Sequence, residues 1–250
     1  MSVGISVVIP ALNEESTVAG VVATCLESSA DEVIVIDPDS TDGTARAAAG
    51  AGARVVNWRG VAPDIRPRPG KGEALWRGIR AAAGDVVVFV DADVTSVEPW
   101  WADALAAPFA DPAVHLVKAS YDRGIDDRPT GGGRVTELTA KPLIRALFPE
   151  LAHIDQPLAG EYAVRRSTAL RLPFVGGYGV EAGLLVDVAR RHGPDSVTQV
   201  DLGARTHRNR PLGELAPMAE VVARTLLSRA GCVPALTPAE ERPAWAGDTI

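Results

Sequence analysis

The chain has 250 residues, 46% of them hydrophobic and 23% charged, which is enough for one large α/β domain with a sizeable core. Its formal net charge of −7 argues against nucleic acid or an anionic membrane surface as the main partner. The two cysteines, Cys25 and Cys232, match no disulfide framework or zinc site, so we expect a reduced, cytoplasmic setting. No apolar run approaches the length of a membrane span, so we expect a soluble protein.

The first half of the sequence alternates predicted strands and helices. Short β-branched runs predict strands at residues 5–9, 33–36, 53–56 and 86–90. Helices are predicted to end near residues 26, 50 and 83, the last of them beginning at Glu73. Repeated β-α units with nearly continuous apolar strands predict a parallel sheet covered on both faces. Ligands bind beyond the carboxyl ends of such strands, where the polar segments 10–14, 37–42 and 91–93 lie.

The second half is less regular. Residues 115–119 predict a strand, and a Gly-rich loop at 130–134 opens a predicted helix to about residue 147. Residues 215–227 carry apolar side chains at helical spacing, which fits either a dimer contact or packing on the main core. We expect loops next to helices at 155–165 and 176–181, and a flexible tail at 232–250, which is rich in Pro and Ala.

The most specific local signal is the pair of Asp91 and Asp93 directly after the predicted strand at 86–90. Two carboxylates one residue apart can share a hard divalent cation such as Mg²⁺ or Mn²⁺ together with its bound diphosphate. A pair of solvated turn aspartates explains the same pattern equally well. The position after the fourth strand of a parallel sheet favours the functional interpretation.

Three other segments are weak signals when each is taken alone. Residues 10–15 place a helix N-terminus where a base or phosphate can bind, although a plain helix start has the same composition. Residues 37–42 can hydrogen-bond a nucleobase or ribose, or can form an Asx-type turn. Lys71 lies between Gly70 and Gly72, which permit a close backbone approach to an anion, but the spacing is not that of a P-loop.

Taken in order, these segments resemble those of family 2-like GT-A glycosyltransferases. The motifs are P-A-L-N-E-E at 10–15, residues 37–44, P-G-K-G-E-A-L-W at 69–76 and D-A-D at 91–93. Residues 131–138, 156–162, 177–181 and 207–212 are similar to segments of the glucosyl-3-phosphoglycerate synthases, a retaining family. The similarity extends over roughly residues 4–231. It implies one α/β domain of GT-A fold over 1–231, with a Rossmann-like nucleotide-sugar half (1–118) and a smaller acceptor-binding half (119–231).

The resemblance implies a role for each matching residue. The donor would be bound by Pro10, Ala11, Leu12, Glu14, Asp37, Lys71, Asp91 and Ala92. The acceptor's phosphate and carboxylate would be held by Arg134, Val135, Thr136 and Asn209. Mg²⁺ or Mn²⁺ would be ligated by Asp93 and His207. The expected catalytic set is Asp91, Asp93, Glu181 and Lys71, with Glu181 near the hydroxyls of the donor sugar.

The chemistry of two of these residues fits the roles. Arg134 can hold an oxyanion through two parallel hydrogen bonds. A lone histidine such as His207 is more often structural than a ligand, but its arginine-rich surroundings favour a loop that faces phosphate. The implied activity is transfer of a hexose, with glucose expected, from a nucleoside-diphosphate sugar to a small anionic acceptor such as 3-phosphoglycerate. The resemblance also implies a homodimer.

Two departures from the family pattern leave the donor and the acceptor open. Pro38 stands where the family usually carries a small polar residue, so the donor is UDP-glucose by preference but a GDP-sugar is an alternative. The segment 122–127 is more acidic than expected beside a phosphate site, which allows another phosphorylated or anionic acceptor. Alternative functions are a polyprenol-phosphate glycosyltransferase, a sugar nucleotidyltransferase and a non-catalytic protein that binds nucleotide sugars.

Overall fold

The computed structural model describes residues 3–125, 128–130, 133–205, 212–232 and 239–246. The described strands are β1 (Ile5–Pro10), β2 (Glu32–Asp37), β3 (Arg54–Asn57), β4 (Val86–Phe89), β5 (Leu116–Ile125), β6 (Arg128–Thr130), β7 (Tyr162–Arg165), β8 (Phe174–Val175), β9 (Val197–Arg205) and β10 (Glu241–Arg242). The described α-helices are α1 (Val18–Leu26), α2 (Thr44–Gly50), α3 (Trp58–Val61), α4 (Lys71–Ala81), α5 (Trp101–Ala106), α6 (Lys141–Leu147), α7 (Arg166–Ala169), α8 (Val180–His192) and α9 (Leu212–Arg229).

Within the described part of the chain, one eight-stranded sheet forms the centre of the molecule. Its order is β3-β2-β1-β4-β7-β5-β6, with β9 beside β5. The four predicted strands of the first half, β1 to β4, run parallel to one another. β7 lies antiparallel between β4 and β5. The carboxyl ends of β1, β2 and β4 therefore meet at one edge, which is the edge where the polar segments emerge.

Strands β1, β2 and β4 are buried on both faces because helices cover the sheet on either side. Val8 faces a core that includes residues of α4, α6, α8 and α9. Val7 and Ile9 face a second core that includes residues of α1, α2 and α5. Burial on both faces explains why these strands are almost continuously apolar rather than alternating. The predicted α/β class with a mainly parallel sheet is confirmed.

The segment 155–165 differs from the prediction of a loop, because its last four residues form β7. Tyr162 pairs with Phe89 at the end of β4, and Ala163 pairs with Val117 of β5. Four residues are too few to show a periodic pattern, and the strand is stabilised by long-range pairing on both sides. Local composition therefore did not indicate it.

Residues 239–246 also differ from the flexible tail that we predicted. β10 pairs antiparallel with β8, and Arg242 is only 8% exposed. Trp245 stacks on Trp76 of α4, with ring centroids 3.6 Å apart. These contacts join residues far apart in the sequence, so the Pro- and Ala-rich composition gave no sign of them.

Helix α9 extends the predicted helix at both ends. Val222 and Leu226 are buried, and Leu215 and Met218 are partly buried against the core. The apolar stripe of this helix is therefore explained by packing on the core. Among the helices that the structure describes, none combines the length and the apolarity needed to cross a membrane.

Candidate active site

The loops that follow β1 and β2 are joined by hydrogen bonds into one surface, which we call the two-loop platform (residues 10–15 and 37–44). Asn13 adopts φ of 57°, a left-handed conformation that asparagine tolerates. Its Oδ1 accepts from the N–H of Thr41 at 2.9 Å, and its own N–H donates to Oγ of Ser40 at 3.1 Å. Oδ1 of Asp37 accepts from the N–H of Ser40 at 2.9 Å. The Asx-type turn that we weighed for residues 37–42 is therefore present.

The platform carries the residues predicted to bind the nucleoside. Ala11 and Asp37 are buried, whereas the side chain of Leu12 is 54% exposed. Pro10 and Glu14 are partly buried. An exposed leucine beside a fixed polar backbone offers a flat base both an apolar surface and hydrogen-bonding groups.

Asp39 fixes the outer side of the platform. Its φ is 65°, and its carboxylate accepts hydrogen bonds from Arg59 Nε at 2.7 Å, Asn57 Nδ2 at 3.0 Å and Trp58 Nε1 at 3.0 Å. These bonds, that from Arg59 above all, hold the pKa of the Asp39 carboxyl well below its usual range. Pro38 therefore lies between two anchored aspartates and has no N–H to offer a ligand.

Lys71 lies at the centre of the site, between the two predicted carboxylates. Its Nζ is 2.5 Å from Oδ1 of Asp91 and 2.9 Å from Oε1 of Glu181. The side chain of Glu181 is 5% exposed, that of Lys71 17% and that of Asp91 22%. Burial alone lowers the pKa of Lys71, but the charges of Asp91 and Glu181 outweigh burial and raise it well above its ordinary value. We call these three residues the Lys71 cluster.

The glycines around Lys71 have a structural role that the sequence did not reveal. A Cβ on Gly72 would lie 2.0 Å from the carbonyl oxygen of Val175. Gly70 has φ of 117°, and a Cβ there would lie 3.0 Å from the backbone of Gly177. The glycines thus permit α4 to begin at Lys71, two residues before the predicted Glu73, against the segment that leads into α8. The glycines serve this backbone packing, and the predicted close approach of an anion to the same backbone stays a prediction.

In the segment after β4, Asp91 is partly buried whereas Asp93 is exposed. A Cβ on Gly160 would lie 2.1 Å from Oδ2 of Asp91, so the backbone before β7 packs tightly against this carboxylate. Asp91 is therefore not the solvated turn aspartate of the alternative interpretation. Ala92 is buried at 3% exposure. Asp93 is exposed.

Asp93 is the described residue that best suits a divalent cation. Carboxylate oxygen is a ligand type preferred by Mg²⁺ and Mn²⁺. One oxygen of Asp91 is already paired with Lys71. His207, the second predicted ligand, lies outside the described residues. Among the residues that are described, no group of three or more His, Cys, Asp or Glu side chains could hold a metal ion.

Beneath the Lys71 cluster, the structure places a second lysine that our site prediction missed. The side chain of Lys118 on β5 is buried at 1% exposure, and its Nζ donates to the carbonyl oxygen of Ala159 at 2.7 Å. The same Nζ lies 4.4 Å from the ring centroid of Tyr162. Burial is the main cause that lowers its pKa to about 8, although the nearby charge of Glu181 opposes this. A lysine directly between the apolar residues Val117 and Ala119 was the available signal, since lysine is almost never fully buried without a partner.

The predicted acceptor residues lie at the start of a helical segment. Helical backbone runs from residue 134 to 147 and includes a π-helical stretch, Thr136–Ala140. Arg134 is exposed at its N-terminal end. Val135 is 9% exposed and Thr136 3%, so both residues are buried at the start of this segment. π-Helical turns often occur at functional sites.

Other predicted acceptor-side features fall outside what the structure describes. Asn209 and residues 131–132 lie outside the described residues. In the acidic segment 122–127, only the backbone of 122–125 is described. The acceptor role of Arg134 together with Asn209 therefore stays a prediction.

Comparison with known proteins agrees with this arrangement. Residues 6–169 match the model of glycosyl transferase family 2. The chain is 50% identical, over 238 residues, to the glucosyl-3-phosphoglycerate synthase of Mycolicibacterium paratuberculosis, with 91% of this chain and 72% of that protein covered.

Two crystal structures of glucosyl-3-phosphoglycerate synthase from Mycobacterium tuberculosis are also similar. One is a complex with Mn²⁺, UDP-glucose and phosphoglyceric acid, with a TM-score of 0.90 and 45% identity over 98% of this chain and 90% of that chain. The other is a complex with Mn²⁺, UDP and glucosyl-3-phosphoglycerate, with a TM-score of 0.89 and 44% identity over 98% and 91%. The predicted GT-A fold is thereby confirmed. The chain belongs to glycosyl transferase family 2 and to the family of the glucosyl-3-phosphoglycerate synthases.

Proposed function

We propose that the chain transfers glucose from UDP-glucose to the hydroxyl of 3-phosphoglycerate, with the help of a divalent metal ion and with retention of the anomeric configuration. The observation that carries the proposal is the Lys71 cluster. It lies at the carboxyl edge of the parallel strands, where Lys71 contacts a carboxylate after β4 and a carboxylate on α8. The similarity to proteins of this named activity supports the choice of donor and acceptor.

The two-loop platform is the proposed nucleoside site. Its residues Pro10, Ala11, Leu12, Glu14 and Asp37 lie beyond the carboxyl ends of β1 and β2, where ligands bind in open parallel sheets. The hydrogen bonds that Asn13, Asp37 and Asp39 accept fix the platform before a ligand arrives. A site that is already ordered binds at a smaller entropic cost.

The start of α4 is the proposed diphosphate site. The positive end of this helix favours an anion, and Lys71 is its first residue. Two carboxylates against one ammonium leave the Lys71 cluster with a net negative charge. A bound Mg²⁺ or Mn²⁺, held by Asp93 and His207, would supply the positive charge that neutralises the leaving diphosphate. Lys71 stabilises the same developing charge from the side of the helix.

The acceptor site is proposed at the start of the helical segment 134–147. Arg134 is exposed there, and its guanidinium can bind a phosphate or carboxylate in bidentate fashion. Thr136, the backbone of Val135, and Asn209 complete the proposed site.

The reaction that we propose needs no enzyme nucleophile. The acceptor hydroxyl attacks the anomeric carbon from the face that the diphosphate leaves, through a transition state with oxocarbenium character. The departing diphosphate accepts the proton of that hydroxyl. Glu181 orients the sugar hydroxyls, and Lys71 holds both Asp91 and Glu181 in place.

The test is incubation of the purified chain with UDP-glucose, Mn²⁺ and 3-phosphoglycerate, with detection of UDP and of the glucosylated product by mass spectrometry. Glycerate, which lacks the phosphate, is the matched acceptor control, and GDP-glucose is the donor control. We expect product from UDP-glucose and 3-phosphoglycerate and far less from either control. UDP release with no glucosylated product in the presence of 3-phosphoglycerate, or no release with any nucleotide-sugar and acceptor, would rule the proposal out.

A homodimer and a cytoplasmic location are further proposals that rest on the family resemblance. The apolar side chains of α9 pack on the core, so they do not identify a dimer surface. Size-exclusion chromatography with light scattering distinguishes a dimer from the 26.1 kDa monomer.

A further inference from the structure

We call residues 239–246 the C-terminal strap. The strap contacts the segment that carries Lys71 and the segment that leads to Glu181. One segment is the first turns of α4, which begins with Lys71. The other is β8 and the turn after it, which lead into α8 and Glu181. None of the residues that our sequence analysis assigned to the site lies in the strap.

The strap binds α4 through a buried cluster of charges. Nε and Nη2 of Arg242 contact Oε2 and Oε1 of Glu73 at 2.5 and 3.0 Å. Nε of Arg77 contacts Oε1 of the same carboxylate at 2.8 Å. The side chains of Glu73, Arg77 and Arg242 are 2%, 0% and 9% exposed. Glu73 lies in the first turn of α4, two residues after Lys71.

An aromatic contact fixes the strap to the next turn of α4. The rings of Trp245 and Trp76 stack at 3.6 Å with an interplanar angle of 13°. Nε1 of Trp245 donates to the carbonyl oxygen of Trp76, and Nε1 of Trp76 donates to that of Pro243, both at 2.8 Å. Both indole N–H groups are thus satisfied inside the contact.

The strap also binds the segment that leads into Glu181. β10 pairs with β8, Glu241 opposite Val175 and Arg242 opposite Phe174. The N–H of Gly176 donates to the carbonyl oxygen of Glu240 at 2.7 Å. Gly72 and Gly70 pack against Val175 and Gly177 without room for a Cβ. We call this contact between residues 70–72 and 175–177 the junction, and the strap binds both of its sides.

We infer that the C-terminal strap, through Arg242, is a positioning element that holds Lys71 at the correct distance from Glu181. The inference rests on the proposed function for its catalytic consequence. Arg242 contacts both sides of the junction, by its guanidinium on Glu73 and by its backbone in the β10–β8 pair. A shift of α4 relative to β8 would separate the ammonium from the carboxylate, and misplacement by about 1 Å can cost about 100-fold in rate.

The test uses the full chain with Arg242→Gln. Arg77 continues to neutralise Glu73 in this variant, so the fold is expected to hold while the junction loosens. The matched control is Arg165→Gln. Arg165 binds the carbonyl oxygens of Val114, Phe109 and Asp111 and pairs with Val86, at the edge of the sheet away from the Lys71 cluster.

Two readouts separate positioning from a general loss of stability. We expect Arg242→Gln to lower kcat for glucose transfer at least about tenfold, while Arg165→Gln keeps kcat within about twofold of the wild type. In hydrogen exchange, we expect the amides of 70–76 and 176–181 to exchange faster in Arg242→Gln, with β1 and β2 unchanged. The control variant should leave residues 70–76 and 176–181 protected.

The two proposals fail in different ways. If the wild type transfers no glucose from any donor, the proposed function fails. The positioning inference is then tested by the hydrogen exchange of 70–76 and 176–181 and by the affinity for UDP-glucose in calorimetry. If the wild type is active and both variants have the same kcat, the positioning inference is overturned, whatever the exchange pattern. Unchanged exchange at 70–76 and 176–181 in Arg242→Gln overturns it as well.

Discussion

Replacement of Lys71 by methionine removes the cation of the Lys71 cluster while keeping much of its volume. The wild-type ammonium lies 2.5 Å from Asp91 and 2.9 Å from Glu181, and all three side chains are less than a quarter exposed. Without it, two carboxylates face each other in a largely buried position. The variant therefore tests whether the cluster both stabilises the fold and serves catalysis.

The size of the effect follows from burial. Removal of one partner from a buried ion pair typically costs about 3–5 kcal/mol, because it leaves an uncompensated charge. Asp91 is 22% exposed and can be partly hydrated. We therefore expect the free energy of unfolding of Lys71→Met to be lower by about 3 kcal/mol. Arg54→Met is the matched control, since the pair of Arg54 with Glu32 is 49% and 21% exposed and should contribute about 0–1 kcal/mol.

The assay combines urea unfolding with glucose-transfer kinetics. The charges of Asp91 and Glu181 raise the pKa of Lys71 well above its ordinary value, against the opposing effect of burial. Its stabilising effect is thus fully present below the unfolded-state pKa of about 10.4. The difference in unfolding free energy between wild type and Lys71→Met should therefore persist at pH 9. In the kinetics, we expect a loss of about 10²–10³ in rate.

Two results would refute this reasoning. One is a Lys71→Met variant as stable as Arg54→Met, which would mean that the buried carboxylates need no cation. The other is a stability difference that disappears between pH 6 and pH 9. That outcome would mean that Lys71 loses its proton in the folded state far below the expected range.

Three further predictions concern the neighbours of the Lys71 cluster. In Gly160→Ala, a Cβ placed 2.1 Å from Asp91 should lower kcat/KM about 10–100-fold, whereas Gly20→Ala, with open space around its Cβ, should leave it unchanged. In Asp93→Asn, the Mn²⁺ concentration for half-maximal activity should rise, while urea unfolding stays within about 0.5 kcal/mol because the side chain is exposed. In Lys118→Met, the relation of stability to pH should change: burial lowers the pKa of Lys118 from 10.5 to about 8, so the unfolded chain binds more protons between these values. The wild type should therefore gain stability relative to this variant as pH rises from 8 to 10.5, and parallel pH curves would contradict the burial of a charged Lys118.

The parts of the fold that could be predicted from sequence are those with a local cause. The strands β1, β2 and β4 are continuous β-branched runs, and each is followed at once by polar residues. Since parallel strands end at one edge, the order of these segments was enough to bring Asp37 and Asp91 to the same side of the sheet. The class of the fold therefore follows from the sequence, and so does the edge of the sheet at which the site is proposed.

The parts that could not be predicted depend on contacts between distant residues. Whether Lys71 pairs with Glu181 is decided by the packing of two glycines against residues 175–177, which no local pattern encodes. β7 is only four residues long and is held by pairing on both sides. The strap is held by the ion pair of Arg242 with Glu73, and these two residues are 169 positions apart in the chain.

Lys118 is a different case, because its signal was present in the sequence. Lys118 lies between the buried residues Val117 and Ala119, and a buried lysine needs a partner inside the protein. The sequence could not name that partner. The structure places it at the carbonyl oxygen of Ala159, next to the glycine that packs against Asp91.

The stereochemistry of the product tests the proposed mechanism most directly. The wild-type chain is incubated with UDP-glucose, Mn²⁺ and 3-phosphoglycerate, and the anomeric proton of the product is examined by NMR. UDP-glucose is an α-glucoside, so same-face attack without an enzyme nucleophile predicts an α-linked glucosyl-3-phosphoglycerate. A β-linked product would contradict the retaining mechanism, and the absence of any glucosylated product would contradict the proposed function itself.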